Sequence, residues 1–334
     1  MKTSFFIGID ISKKTLDFAV RDYKHHLFHV KVENSPLGLA QFKETCLVNN
    51  VVLGNSLICC EHTGIYSQHI LVLATRENLS LWLESSLRIK RSLGLQRGKN
   101  DKIDAIRISE YAFRYADQAV IWQPERQIIL KLRQLVALRK RLLNAKNALK
   151  VPISEVVGFQ DKKLQKEMER LNRKPIEALE KQIAEVEKKI SNLIKEDDSL
   201  SHFFSIVTSV EGIGPVVFWE MIIATNEFKL FNCPRKFACY AGVVPFEHSS
   251  GTSIRGGTRV SHMANKKMKK LLHMAALDVV SKQGELADYY CRKVEQGKNK
   301  MSVINAIRNK LIHRVFACIR DNRKYEKNYT PALD

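Results

Sequence analysis

"FFIGIDISKKTLDFAV", from Phe5 to Val20, sets two β-prone apolar runs around a short polar segment at Ser12–Lys14. The first run ends at Asp10, and "TLDFAV" then alternates inward and outward residues, the period-2 pattern of a strand. "HLFHVKVEN" (His26–Asn34) repeats that pattern before a turn at Ser35 and Pro36. Three strands joined by short turns therefore open the chain. A helical stretch follows through "GLAQFKETCLV", then "SLICCE" as a buried strand, a helix around "YSQHILVLATR", and "LSLWLES" as another strand. Three strands followed by alternating helix and strand predict an α/β domain, a mixed sheet with helices on its faces.

At 334 residues, 45% of them hydrophobic, the chain is long enough for two or three cores. Lys and Arg total 55 against 35 acidic residues, a net charge of +20. Such an excess calls for a polyanion, with nucleic acid the first candidate and an anionic membrane surface the second. No apolar run approaches the roughly 20 residues that span a bilayer. Asp10 also interrupts the apolar start before it becomes a signal-peptide core, so a cytoplasmic protein is expected. Seven cysteines without a C-x-x-C pair suggest neither a zinc ribbon nor a disulfide framework. Cys59, Cys60, Cys233 and Cys239 read as reduced, buried fillers.

After about Asp117 the composition changes. Pro124 to Lys150 reads as helix, and a second helical block follows Pro152 to about Lys195, with Pro175 inside it. Ile176, Leu179, Ile183, Val186, Ile190 and Leu193 form a heptad seam flanked by charge. Either a coiled-coil arm that pairs with another helix or subunit, or a helix packing on its own domain, satisfies that pattern. From Ser201 globular text resumes, and "SVEGIGPVVFWEMI" places Gly212 and Gly214 between two helix-type segments. This has the shape of a helix-hairpin-helix, whose backbone N–H groups approach a DNA phosphate, and equally of a tight turn. Three regions result: 1–118, 119–200 and 201–334, the last mainly α-helical.

Asp10 ends the first strand, and Glu61 ends the strand expected beside it. Both should then project from one end of the sheet, where α/β folds hold ligands. In "GKNDKIDAIRISE" (Gly98–Glu110), Asp101 and Asp104 lie three apart on a helix, about 5–6 Å between β-carbons. Four carboxylates can converge there, an arrangement that suits Mg²⁺ or Mn²⁺ and phosphodiester chemistry. Arg88, Lys90, Arg91, Arg97 and Lys99 would grip the nucleic-acid backbone. For the helical pair alone, a cap at Asp101 and an ion pair at Asp104 fit as well. Asp17 and Asp22 read as surface acids.

"IGIDISKKTLDFAV", "CCEHTG" and "GKNDKIDAIRISE" resemble, in order and spacing, the three acidic blocks of the ribonuclease H-like (RuvC-like) domain in DEDD transposases of bacterial insertion sequences, the group that includes the pilin-gene-inverting recombinases. The resemblance implies that Asp10, Glu61, Asp101 and Asp104 are the metal-binding acids.

"FACYAGVVPFEHSSGTSIRGGTRVSHMANKKMKKLLHMAA" is a glycine- and hydroxyl-rich loop followed by a basic helix. By residue type alone, such a loop binds phosphates through N–H groups, Arg255 and Arg259, with Lys266, Lys267, Lys269 and Lys270 behind it. His248 and His262 read as phosphate contacts. The segment also resembles the serine motif of the same family, which implies that Ser250 is the nucleophile. Ala264 stands where the family pattern has glycine before Asn265. The resemblance further implies a covalent serine–DNA intermediate and a noncoding bridge RNA that guides donor and target choice; the helical arm would fit subunit pairing into a dimer or tetramer, and the bacterial nucleoid is the expected location. A Holliday-junction resolvase or nuclease that activates water is the enzymatic alternative, and a basic assembly factor the non-enzymatic one.

Overall fold

The computed structural model describes residues 3–92, 100–156, 159, 161–231, 233–250, 254–260 and 264–327, with the backbone alone between 246 and 259. The chain divides into two compact units, Met1–Pro124 and Glu125–Asp334.

The first unit is built on a five-stranded sheet. β1 (Phe5–Ile11), β2 (Thr15–Arg21) and β3 (His26–Glu33) form an antiparallel meander. β4 (Ser56–Glu61) runs parallel to β1 on its other side, and β5 (Ser80–Glu84) parallel to β4, so the order is β3-β2-β1-β4-β5. Helix α1 (Pro36–Val48) starts at Ser35, whose hydroxyl accepts the Gly38 N–H, with Pro36 in the first turn. Further on come α2 (Gln68–Arg76), α3 (Ser86–Ser92) and α4 (Asp101–Arg114).

Each central strand feeds two cores. Ile7, Ile9 and Ile11 join Leu16, Phe18 and Val20 beneath α1 and α2, where Phe18 stacks on Phe42 at 3.7 Å. On the opposite face Phe6, Leu57, Cys59 and Trp82 pack with Ile108, Tyr111 and Ala112 of α4. The inward–outward alternation expected of β2 is instead alternation between two buried faces. The α/β class expected of this region, and the ribonuclease H-like arrangement that the resemblance implies, both agree with this sheet.

Among the described residues the second unit is helical apart from one hairpin. It comprises α5 (Gln127–Glu155), α6 (Lys162–Lys195), α7 (Asp198–Val207), α8 (Pro215–Thr225), α9 (Pro234–Tyr240), β6 (Pro245–Ser250), β7 (Ile254–Val260), α10 (Lys266–Val280), α11 (Glu285–Glu295) and α12 (Lys300–Arg320). Along α12, Ile307, Leu311, Ile312 and Val315 are fully buried and centre the core. α5 continues through Pro152 to Glu155, beyond the break expected at that proline. Ion pairs Arg139–Glu187 (2.6 Å) and Lys146–Glu180 (3.4 Å) tie α5 to α6 in antiparallel register. The apolar seam of α6 thus has α5 as a partner, and Ile129, Leu132 and Val136 of α5 share a core with Val186, Ile190 and Leu193.

Arg126, just ahead of α5, clamps the second unit by bonding both Asp197 and Glu227. Glu227 lies within a run of left-handed residues, Asn226 (φ 45°), Glu227 (58°) and Phe228 (62°), each costing about 1 kcal/mol. The pair of Arg126 with buried Glu227 holds that corner. Cys59 and Cys60 are buried fillers as expected, whereas Cys233 and Cys239 are only half-buried, because α9 turns Phe237 and Ala238 into the core instead. Among the described residues no helix is long and apolar enough to cross a membrane.

Candidate active site

A transverse row of ionisable side chains crosses the α4 face of the sheet. Strand register sets it out: Lys31 of β3 opposes Asp17 of β2, and Asp17 opposes Asp10 of β1. Ile9 opposes Cys60, so Glu61 follows beside Asp10, and Glu61 itself opposes Glu84 of β5. Side chains two apart on a strand share a face. Asp10 therefore stands on the face of Phe6 and Gly8, above which α4 runs.

Gly8 brings that helix down. A β-carbon at Gly8 would lie 2.2 Å from both the Ala105 carbonyl oxygen and the Ser109 nitrogen. One turn nearer its N-terminus, α4 carries Asp104 and Asp101 in its first turn. Asn100 caps the helix, its Oδ1 accepting the Ile103 N–H at 2.8 Å, so Asp101 is not the cap and is free for another role. Lys31 Nζ donates to Asp101 Oδ2 at 3.0 Å, and Arg107 Nη1 to Asp104 Oδ1 at 3.0 Å.

Burial, then the charges of Asp101, Asp104, Glu61 and Asp17, push the Asp10 carboxyl up to about 6. The other three sequence-predicted acids thus lie near enough for their charges to act on Asp10. A divalent metal, which the DEDD resemblance implies, is matched by a donor set made only of hard carboxylate oxygens and by negative charge that a cation relieves. Their spacing is wider than that of a loaded site: among the described residues no three His, Cys, Asp or Glu stand close enough to hold an ion. Asp101 and Asp104 are engaged by cationic side chains instead, and Glu61 Oε2 accepts the Ser86 hydroxyl at 2.5 Å.

Two further acids belong to this row. Asp17, expected at the surface, is 3% exposed and bonded to His29 (2.8 Å) and Lys31 (3.2 Å). Its place was written in the hairpin, since strands turning at Ser12–Thr15 pair Asp10 with Asp17. Glu84 is 7% exposed and accepts from the Tyr111 hydroxyl (3.0 Å), Arg88 Nη1 (3.1 Å) and the Ser85 N–H (2.7 Å). "SLICCE" and "SLWLE" both end in glutamate, and that was its signal. Arg88, expected on nucleic acid, makes this contact with Glu84; Asp22 caps its turn through the N–H groups of Lys24 and His25.

Within the second unit, the serine segment forms a hairpin rather than the expected loop. Ser250 is the last residue of β6, its Cα opposite Ile254 of β7. Arg255 opposes Ser249 and Arg259 opposes Phe246; Gly251–Ser253 and His262 lie outside the described residues, as do Arg97 and Lys99. Asn265 caps α10 through the Met268 N–H and bonds the Tyr240 hydroxyl at 2.6 Å. Ala264 points its β-carbon at Gly242 (φ 68°), whose lack of a side chain leaves the room. Lys266 and Lys270 are exposed, Lys269 is half-buried, and Lys267 is ion-paired with Glu220. Gly212 (φ 77°) turns against α10, where a β-carbon would strike Val279 and the Ala275 carbonyl, whereas Gly214 faces open space at the start of α8.

A five-stranded α/β sheet with Asp10 and Glu61 on neighbouring strands, beneath a helix bearing Asp101 and Asp104, and a helical unit after it, are consistent with a DEDD-type transposase. The comparisons agree. A transposase model for the DEDD domain of IS110 matches residues 7–158, and one described as the transposase IS116/IS110/IS902 family matches residues 204–291. The pilin gene-inverting protein of Moraxella bovis is 25% identical over 333 residues, covering 96% of this chain and 98% of the relative. That of Moraxella lacunata is 24% identical over 331 residues, again 96% and 98%. A probable family 20 transposase of Pseudomonas aeruginosa is 30% identical over 105 residues, 31% of this chain and 30% of the relative. The chain belongs to the IS116/IS110/IS902 transposase family, and as such is an enzyme acting on DNA.

Proposed function

We propose that this transposase cuts and rejoins DNA through Ser250, with Mg²⁺ or Mn²⁺ held by Asp10, Glu61, Asp101 and Asp104. The observation that supports the reading is the placement of Asp10 and Glu61 on neighbouring strands beneath the helix that carries Asp101 and Asp104, where burial and then the charges of these acids raise the Asp10 carboxyl to about 6. When bound, the metal supplies Lewis-acid charge to a phosphodiester and favours the serine alkoxide. The Ser250 oxygen forms a bond to phosphorus, one sugar–oxygen bond to that phosphorus breaks, and the released sugar oxygen takes up a proton. Reversal of the same exchange with another DNA end reseals the strand, and the conserved phosphodiester removes any need for ATP.

Arg97, Lys99, Arg255, Arg259, Lys266, Lys267, Lys269 and Lys270 would hold phosphates, and the Gly212–Gly214 turn would meet the DNA backbone as a helix-hairpin-helix does. Helices of region 119–200 would serve as a coiled-coil arm joining subunits into a dimer or tetramer. A noncoding guide RNA is the further partner that the family resemblance and a charge of +20 support. The site of action is then the nucleoid in the bacterial cytoplasm.

The test is to incubate the protein with its flanking DNA and Mg²⁺, denature it, and seek a nucleotide on Ser250 by mass spectrometry. An adduct lost in Ser250→Ala and Asp101→Ala supports the reading. Cleavage that persists without adduct in Ser250→Ala overturns it in favour of a nuclease activating water.

A further inference from the structure

Lys31 stands between two acids of unlike character. Its ammonium lies 3.2 Å from Asp17 Oδ2 and 3.0 Å from Asp101 Oδ2. Asp17 is fixed: its side chain is 4% exposed and His29 Nε2 holds its other oxygen at 2.8 Å. Asp101, with a side chain 54% exposed at the start of α4, is the movable one. An ammonium has three donors and serves both carboxylates at once. While it does so it occupies an Asp101 oxygen and places a positive charge beside the acids that would hold a dication, so lysine and metal would compete.

The lysine is also placed to leave. β3 is an edge strand, and the Lys31 side chain is 48% exposed. Its flexible stem lets the ammonium swing to another anion without disturbing the strand. A backbone phosphate arriving beside the acids is such an anion, and the protein's charge draws it there.

We propose that Lys31 is a positioning residue: anchored on buried Asp17, it holds Asp101 in the nucleic-acid-free protein and yields that carboxylate to metal when a DNA phosphate takes its ammonium. Metal loading is thereby coupled to DNA binding, which keeps the cleavage centre unloaded away from its substrate. The inference rests on the four acids being the metal ligands.

Mn²⁺ alone is the probe, its free concentration followed by electron paramagnetic resonance in titrations of the full chain with and without a DNA duplex. Without DNA, Lys31→Met and Lys31→Gln should bind Mn²⁺ about tenfold more tightly than wild type, the scale of one nearby charge partly screened by solvent. Lys31→Arg, which keeps the charge, should stay at the wild-type affinity. With duplex present, wild type should close most of the gap. Equal, weaker or absent Mn²⁺ binding in the natively melting Met and Gln variants overturns the proposal. Asp10→Asn separates the two readings: Mn²⁺ binding that survives it removes the four-acid site itself, whereas binding that needs Asp10 but ignores Lys31 removes only the coupling.

Discussion

Gly8 of β1 and Ser109 of α4 approach so closely that a β-carbon on Gly8 would lie 2.2 Å from the Ser109 nitrogen. Backbone, not a flexible side chain, fills that space, so the helix must lift if the glycine gains a methyl group. Gly8→Ala should cost about 2–3 kcal/mol in chemical unfolding, as overpacking does. Because Asp101 and Asp104 ride on α4 above Asp10, DNA cleavage should fall further than the lost stability explains. Cleavage by the folded fraction at the wild-type rate would show that helix height does not matter.

Asp10 is partly buried beside four other acids, and in the metal-free protein its charge is a liability. Asp10→Asn removes the charge and keeps the shape. The variant should gain about 1 kcal/mol of stability at neutral pH without metal, while strand cleavage disappears. Paired urea unfolding and cleavage assays check both halves. A less stable Asn variant would mean that the carboxylate is structurally required.

Much of this arrangement was legible in the residues. The apolar runs and the acids closing "FFIGID" and "SLICCE" predicted both the sheet and the end that carries Asp10 and Glu61. Asp17 escaped because an aspartate inside an alternating strand reads as solvent-facing, and only the cross-strand partners His29 and Lys31, distant in sequence, reveal its burial. Similarly, Asn100 took the cap that Asp101 could have filled, a choice between adjacent residues that helix propensity alone does not make. That Ser250 sits on a strand escaped because its partner run, Ile254–Val260, alternates only weakly and reads as loop.

Arg126 holds two carboxylates, and Glu227 among them is almost fully buried in a left-handed corner. Lys229, 3.4 Å from Glu227, offers a weaker substitute. Arg126→Met should therefore cost about 2–3 kcal/mol, chiefly by leaving a buried acid without its guanidinium. The double variant with Glu227→Gln should recover part of that loss in thermal melts. Additive losses in the pair would show that the two residues act independently.

His273 of α10 accepts a hydrogen bond at its Nδ1 from buried Arg308 of α12, at 2.6 Å. The imidazole must stay neutral to do so. Burial, and then the Arg308 charge, hold its pKa below the ordinary 6.5. A histidine whose folded pKa is depressed gives its full stability above the unfolded value and loses it as pH falls toward the folded one, since the unfolded chain takes the proton first. Melting temperature should thus drop by a few degrees between pH 7 and pH 5, and His273→Gln, which still offers an acceptor but does not titrate, should show a shallower fall. Differential scanning calorimetry across that range decides the matter: parallel curves for the two proteins would place the acid sensitivity elsewhere.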